Sequence, residues 1–135
     1  MASSPPESRV SVVIVNYQSY PELRACLTAL DRGAPSTEII VVDYETDDAQ
    51  ARAVEAAFPR VRVLRIARNE GFAAGVNRGA RETSGPYLLL LNPDCIPESG
   101  LCDGRGCPRR GRVPSGGLPS RQARSCLAST RKLPA

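Results

Sequence analysis

Four short apolar runs, separated by segments of helix length, constrain this chain more tightly than any other feature of its sequence. Val10-Ser11-Val12-Val13-Ile14-Val15 is the first, a β-branched run of the kind buried on both faces of a sheet. Ile39-Ile40-Val41-Val42 is the second and ends at Asp43. Val61, Val63 and Leu64 mark a third, and Tyr87-Leu88-Leu89-Leu90-Leu91 a fourth, followed by Asn92-Pro93-Asp94. The segments between them carry helix signals. Asn16-Tyr17-Gln18-Ser19 ends the first run, and Ser19 is placed to cap a helix with Pro21 in its first turn and Glu22 three residues on. Leu23, Cys26, Leu27 and Leu30 then recur at i, i+3, i+4 and i+7, one apolar face, until Gly33 and Pro35 stop the helix. Asp47 or Asp48 caps a second helix, Ala49 to Phe58, closed by Pro59. A third reads from Gly71 to about Thr83, with Phe72, Val76 and Ala80 on one side.

Strands alternating with single helices imply an α/β fold with a parallel sheet and right-handed crossovers. Sites in such sheets lie beyond the carboxyl ends of the strands. Asn16, Asp43, Asn92 and Asp94 each stand just past such an end.

The pattern covers residues 9–99. The remainder, 100–135, is of another composition: from 101 on it holds five Gly, four Pro, four Ser and eight basic residues. Such a segment buries too little apolar surface to offset its ordering entropy and is expected to be disordered. The net charge of +4 conceals this split. Residues 1–100 carry ten Arg against 13 Asp and Glu, while 101–135 carry eight basic residues against one Asp. The basic segment has no aromatic residue to stack a base, so it points to non-specific charge attraction and not to specific nucleic-acid binding. No apolar run is long enough for a transmembrane helix, and the first eight residues have no signal-peptide core. The chain is therefore expected in the cytoplasm, with its five cysteines as thiols.

The chain has no His, which removes His-based catalysis and His-ligated metal. Cys102, Cys107 and Cys126 lack the paired spacing of a zinc site. Asn92-Pro93-Asp94 places hard oxygen donors after a buried strand, where Mg²⁺ or Mn²⁺ shares its ligands with substrate phosphates; the competing reading is a plain turn. Asp43 could accept hydrogen bonds from a ribose or a base, or cap the following helix. In Asn69-Glu70-Gly71-Phe72-Ala73-Ala74-Gly75-Val76-Asn77-Arg78-Gly79, glycines recur every four residues. That stripe allows close approach of a phosphate or of a strand, and it matches neither G-x-G-x-x-G nor the P-loop.

Together, Val10–Tyr17, Glu38–Asp43, Asn69–Gly79 and Tyr87–Asp94 resemble, in order and spacing, the family 2 glycosyltransferases of the GT-A fold, closest to their rhamnosyltransferase-like branch. The resemblance implies a Rossmann-like donor-binding half with strand order 3-2-1-4, so that Asn16, Asp43 and Asp94 face one cleft. It also implies inverting transfer of a sugar, dTDP-rhamnose-like, from a nucleoside-diphosphate sugar to a glycan or lipid-linked acceptor, as in cell-wall polysaccharide synthesis at the inner membrane face. By the same resemblance Asp43 contacts the nucleoside. Asn16, Asn69, Gly71, Gly75, Asn77 and Asn92 line the nucleotide-sugar pocket, and Asp94 holds Mg²⁺ or Mn²⁺. Two departures stand out. The family's Asn after the strand-end Asp is Tyr44 here, and nothing in 101–135 matches the family's acceptor strands or catalytic base. The switch in composition reads as a frameshift or truncation. It would leave the Tyr87–Leu91 edge open and the chain without transfer of its own. A non-catalytic nucleotide-sugar-binding fragment and a small α/β interaction domain with a basic arm are the alternative readings.

Overall fold

A computed structural model describes residues 10–33, 37–85 and 87–97, and the backbone of 126–129. The elements follow the chain as β1 (Val10–Tyr17), α1 (Tyr20–Gly33), β2 (Glu38–Tyr44), α2 (Asp48–Ala57), β3 (Val61–Ile66), α3 (Phe72–Arg81), β4 (Tyr87–Leu91) and β5 (Cys126–Ser129). The sheet order is β3-β2-β1-β4-β5, so the four expected strands stand in the expected order 3-2-1-4 and run parallel. Ile14 pairs with Val41 on one side and Leu91 on the other, which fixes the register of the three central strands.

The two innermost β-branched runs are buried almost end to end because helices cover both faces. On one face Val12, Ile14, Ile39 and Val41 pack with Leu23, Cys26, Leu27 and Leu30 of α1 and with Ala51 and Val54 of α2. On the other, Val13, Ile40, Val42 and Tyr44 form a second cluster under α3. The periodicity of α1 thus identifies four of the five residues it buries, Tyr20 being the fifth. Asp47 caps α2 as expected, its Oδ1 accepting the Gln50 N–H at 3.1 Å.

Ser19 does not act as the expected side-chain cap. Its carbonyl accepts the first helical bond from Leu23 N, but its hydroxyl donates back to the Tyr17 carbonyl at 3.2 Å. A local turn takes the side chain before the helix can use it. The face of α3 also differs from the expected Phe72–Val76–Ala80 side. Gly75 and Gly79 are the buried residues of this helix, and Phe72 is 46% exposed. The small residues let the helix axis approach the sheet closely, and that gain outweighs turning a larger apolar side chain inward.

The far end of the sheet brings a further difference. β5 pairs antiparallel with β4, Leu91 opposite Cys126 and Leu88 opposite Ser129, so the outer edge of β4 is covered and not open. A four-residue strand has too short a pattern to be legible, and an unpaired strand edge supplies its hydrogen bonds from a distance in sequence. The rest of the segment from residue 100, expected to be disordered, lies outside the described residues. Among those described, no helix is long and apolar enough to cross a membrane.

The α3 contact is open to a direct check. A Cβ at Gly79 would lie 2.5 Å from Val13 Cγ1 and 3.1 Å from Val42 Cγ2. Gly79→Ala is expected to lower stability by about 1–2 kcal/mol, an overpacking cost exceeding the helix propensity that Ala gains over Gly. The urea unfolding midpoint measures it, and an unchanged or raised midpoint would mean that α3 does not rest on β1.

Candidate functional site

The carboxyl ends of β1 and β2 carry Asn16 and Asp43 side by side in register. Strand alternation turns both side chains toward the face covered by α1, the face of Ile14 and Val41. Asn16 is 0% and Asp43 1% exposed. Such a carboxylate must find donors inside the protein. Asn16 Nδ2 donates to Asp43 Oδ1 at 2.9 Å, and Tyr20 Oη donates to Asp43 Oδ2 at 2.8 Å. The Tyr20 oxygen in turn accepts the Asp47 N–H at 3.0 Å, and Thr46 Oγ1 donates to the Asp43 carbonyl at 2.8 Å. One acceptor in this cluster is unanswered: among the described residues, Asn16 Oδ1 is buried without a hydrogen-bond partner. Leaving such a group unsatisfied costs about 1–3 kcal/mol, so it marks a place where a donor from outside would be welcome.

Tyr20 and Thr46 were not among the residues singled out in the sequence. The signal for Tyr20 was present: it lies three residues before Leu23, on the same buried stripe. An aromatic ring with a polar tip at that place can reach a strand end.

Tyr44, one residue on from Asp43, points the other way. It is buried under α3, and its hydroxyl donates to the Gly71 carbonyl at 2.7 Å. The departure at this position therefore bears on α3, not on the α1 side of the sheet to which Asp43 points. Gly71 has φ +92° and ψ 166°, a conformation essentially restricted to glycine. Asn69 Oδ1 accepts the Gly71 N–H at 3.0 Å, which shapes the entry to α3. Arg78 closes the same corner with two bonds of 2.8 Å to Glu70. Gly75 lies against Tyr44 and Val15, so it takes the helix-on-sheet role. Asn77 is exposed, halfway between the two sheet-facing glycines and therefore on the outer side of the helix. The structure thus brings Asn16 and Asp43 together, and sets Asn69, Gly71, Gly75 and Asn77 on the opposite face of the sheet.

Asn92 and Asp94 follow β4 in a turn closed by the Cys95 N–H donating to the Asn92 carbonyl at 3.0 Å. Asp94 is exposed, three residues beyond the partner of Ile14. The next residue, Cys95, packs in the same cluster as Ile14, Val41 and Cys26, which ties this turn to the α1 side of the sheet. Among the described residues no three His, Cys, Asp or Glu side chains are grouped to hold a metal. The donors present, an exposed carboxylate and an amide in one turn, are hard oxygen ligands. They fit Mg²⁺ or Mn²⁺ in the mode in which phosphate oxygens and water supply the remaining ligands. Cys95 is buried and disulfide-bonded, its partner not among the residues whose side chains are described. The expectation of five thiols is corrected there, because pairing depends on which sulfurs the fold brings within bonding distance. The side chains of Cys102, Cys107 and Cys126 lie outside the described residues.

Residues 11–103 match the family model for glycosyl transferase family 2. The chain belongs to that family. It is 31% identical over 94 residues to glycosyltransferase AglE of Haloferax volcanii, covering 65% of this chain and 31% of that one. It is 29% identical over 91 residues to a dolichol-phosphate mannosyltransferase of Pyrococcus furiosus, covering 64% and 26%. The chain thus spans about a third or less of these relatives. Among solved structures it is similar to the mannosyltransferase PcManGT of Pyrobaculum calidifontis, in complex with GDP-Man and Mn²⁺ (TM-score 0.59, 20% identity, 70% of this chain and 30% of that one). It is likewise similar to S. aureus TarS 1–349 (TM-score 0.61, 20% identity, 71% and 31%). The fold of this family 2 chain is the fold of those GT-A neighbours, and its parallel strands keep their 3-2-1-4 order.

The buried cluster gives a pH prediction. The Tyr20 phenol is pushed from 10.0 up to about 12, by burial first and also by the Asp43 carboxylate it is bonded to, against the opposing pull of the Asp47 N–H. The Cys26 thiol is pushed from 9.0 up to about 12 by burial and then by the Asp94 charge. Both raised values mean that the folded state holds the proton more tightly than the unfolded chain. That stability is present in full below the unfolded values and is lost as pH rises through the folded ones. Denaturant midpoints are expected to fall between pH 9 and 12. Tyr20→Phe and Cys26→Ala should each flatten part of the fall, and slopes unchanged by both would contradict the assignment.

Proposed function

We propose that this chain is the donor-nucleotide part of a family 2 glycosyltransferase, binding a nucleoside-diphosphate sugar at the carboxyl ends of β1, β2 and β4. The observation that supports the reading is the Asn16–Asp43 pair, with its unanswered acceptor, at the ends of β1 and β2, beside the strand β4 whose following turn carries the exposed Asp94. The nucleoside belongs at Asn16 and Asp43, where buried acceptors meet ribose or base donors. The diphosphate belongs at Asn92 and Asp94. A divalent ion held there would neutralise the charge that develops on the departing diphosphate. Two structural neighbours were solved with Mn²⁺ and either GDP-Man or UDP, and TarS has also been solved with UDP, which supports a nucleotide ligand and a metal of this class.

Asn69 and Gly71 enter the reading through the start of α3, which Tyr44 ties to β2. Gly75 contributes by letting that helix sit close to the sheet, and Asn77 by its exposed amide on the helix's outer side. The N-P-D turn favours the rhamnosyltransferase-like branch, with a dTDP- or UDP-linked donor. Inverting transfer to a glycan or lipid-linked acceptor at the inner membrane face completes the reading. Such a transfer needs a carboxylate to take the acceptor's proton. No described residue is assigned that role.

Calorimetric titration with UDP and dTDP, with and without Mn²⁺, is the test. Binding is expected to require the metal. Asp94→Ala should weaken it at least about tenfold, or 1.4 kcal/mol, by removing the anionic ligand. Metal-independent binding that Asp94→Ala leaves unchanged would remove the assignment of Asp94, and no nucleotide binding at all would remove the proposal.

A further inference from the structure

We infer that Tyr20 is a positioning residue for the nucleoside end of this site: its hydroxyl locks the Asp43 carboxylate to the start of α2 and thereby aims the unanswered Asn16 acceptor at the ligand. This rests on the nucleotide-binding reading above. Tyr20 is 8% exposed and belongs to the buried stripe of α1, so it acts through its neighbours.

The directions in the cluster are fixed by chemistry. An ionised carboxylate accepts and cannot donate, so the one hydroxyl proton of Tyr20 goes to Asp43 Oδ2, and the Tyr20 oxygen is left to accept from Asp47 N. The same rule fixes Asn16. Its Nδ2 must face Asp43 Oδ1, because turning the amide over would set oxygen against oxygen. Asn16 Oδ1 therefore points where Asp43 makes it point, and Asp43 is held at its other oxygen by Tyr20. That buried, partnerless Oδ1 is the group that an N–H or O–H of the nucleoside would satisfy. Removing the Tyr20 hydroxyl frees Oδ2 and strands the Asp47 N–H. The carboxylate is then free to turn, and the Asn16 amide with it. Among the described residues the Tyr20 hydroxyl bonds to Asp43 and Asp47, so the Asp94 turn should not feel the change.

The experiment compares two probes on the 135-residue chain and on Tyr20→Phe, both with Mn²⁺ present. UDP reports the nucleoside end together with the phosphates, and inorganic pyrophosphate reports the phosphates alone. UDP binding is expected to weaken about three- to tenfold in the variant, the scale of one lost hydrogen bond. Pyrophosphate binding should stay within about twofold of wild type. Equal weakening of both probes would make Tyr20 a general structural residue and overturn the inference, as would unchanged UDP affinity. A wild-type chain that binds neither probe would overturn the nucleotide reading itself. A wild-type chain that binds UDP while Tyr20→Phe binds it equally well overturns the inference alone. Should Tyr20→Phe not fold, the wild type answers the question by NMR. The buried hydroxyl proton of Tyr20 should shift with UDP and stay in place with pyrophosphate, and a proton that ignores UDP overturns the inference.

Discussion

Asp43 places a carboxylate among the ends of β1, β2, α1 and α2, with almost no access to water. Such a group is costly to bury without partners, and every partner it has comes from a different element. Asn16 reaches it from β1 and Tyr20 from α1, while Tyr20 extends the link to Asp47, the N-cap of α2. Four elements are thus fixed relative to one another at the end of the sheet where a ligand would arrive. The geometry of the candidate site is a consequence of satisfying this one charge.

The opposite end of the sheet is closed by a polar cluster of another kind. Glu38 Oε2 accepts from Ser11 Oγ at 2.6 Å and from the backbone and hydroxyl of Ser84 at 3.0 and 3.1 Å, and Ser11 Oγ accepts the Gly85 N–H. Its described groups answer one another, so this end reads as structural. At the Asp43 end one buried acceptor stays open. The contrast between a closed cluster and an open one, at two ends of the same strands, is what sets the candidate site apart from the scaffold.

Both faces of the sheet contribute, but in different ways. Neighbouring residues Asp43 and Tyr44 point to opposite faces because strand side chains alternate. The first organises the α1 side and the second fastens the start of α3. The glycine stripe of α3 meets β-branched side chains of β1 and β2, so close packing there is a matter of shape. Residues that stand together in the chain as one motif, Asn69 to Gly79, therefore serve several roles: turn, strained cap, sheet contact and exposed surface.

The fold was legible because apolar periodicity is a local property. The β-branched runs at Val10–Val15 and Ile39–Val42 and the stripe Leu23, Cys26, Leu27, Leu30 each declare their element within a few residues, and single helices between strands leave a parallel sheet. That Asn16, Asp43 and Asp94 gather toward the carboxyl ends of their strands followed from the same reading, and so did the family. Asn16 and Asp43, expected just past those ends, are the last residues but one of β1 and β2, because the ladder pairs on to Tyr17 and Tyr44. Tertiary structure decided what no local pattern holds. It decided that the Ser19 hydroxyl turns back on Tyr17, that α3 buries glycines in place of Phe72, that β5 covers the edge of β4, and that Tyr20 is the partner of Asp43. Apart from the Ser19 turn, which is a local competition between two short-range bonds, each of these depends on groups far apart in the chain meeting at hydrogen-bond or van der Waals distance. Twenty-three residues separate Tyr20 from Asp43, and only the packing of α1 across the sheet brings the hydroxyl to the carboxylate.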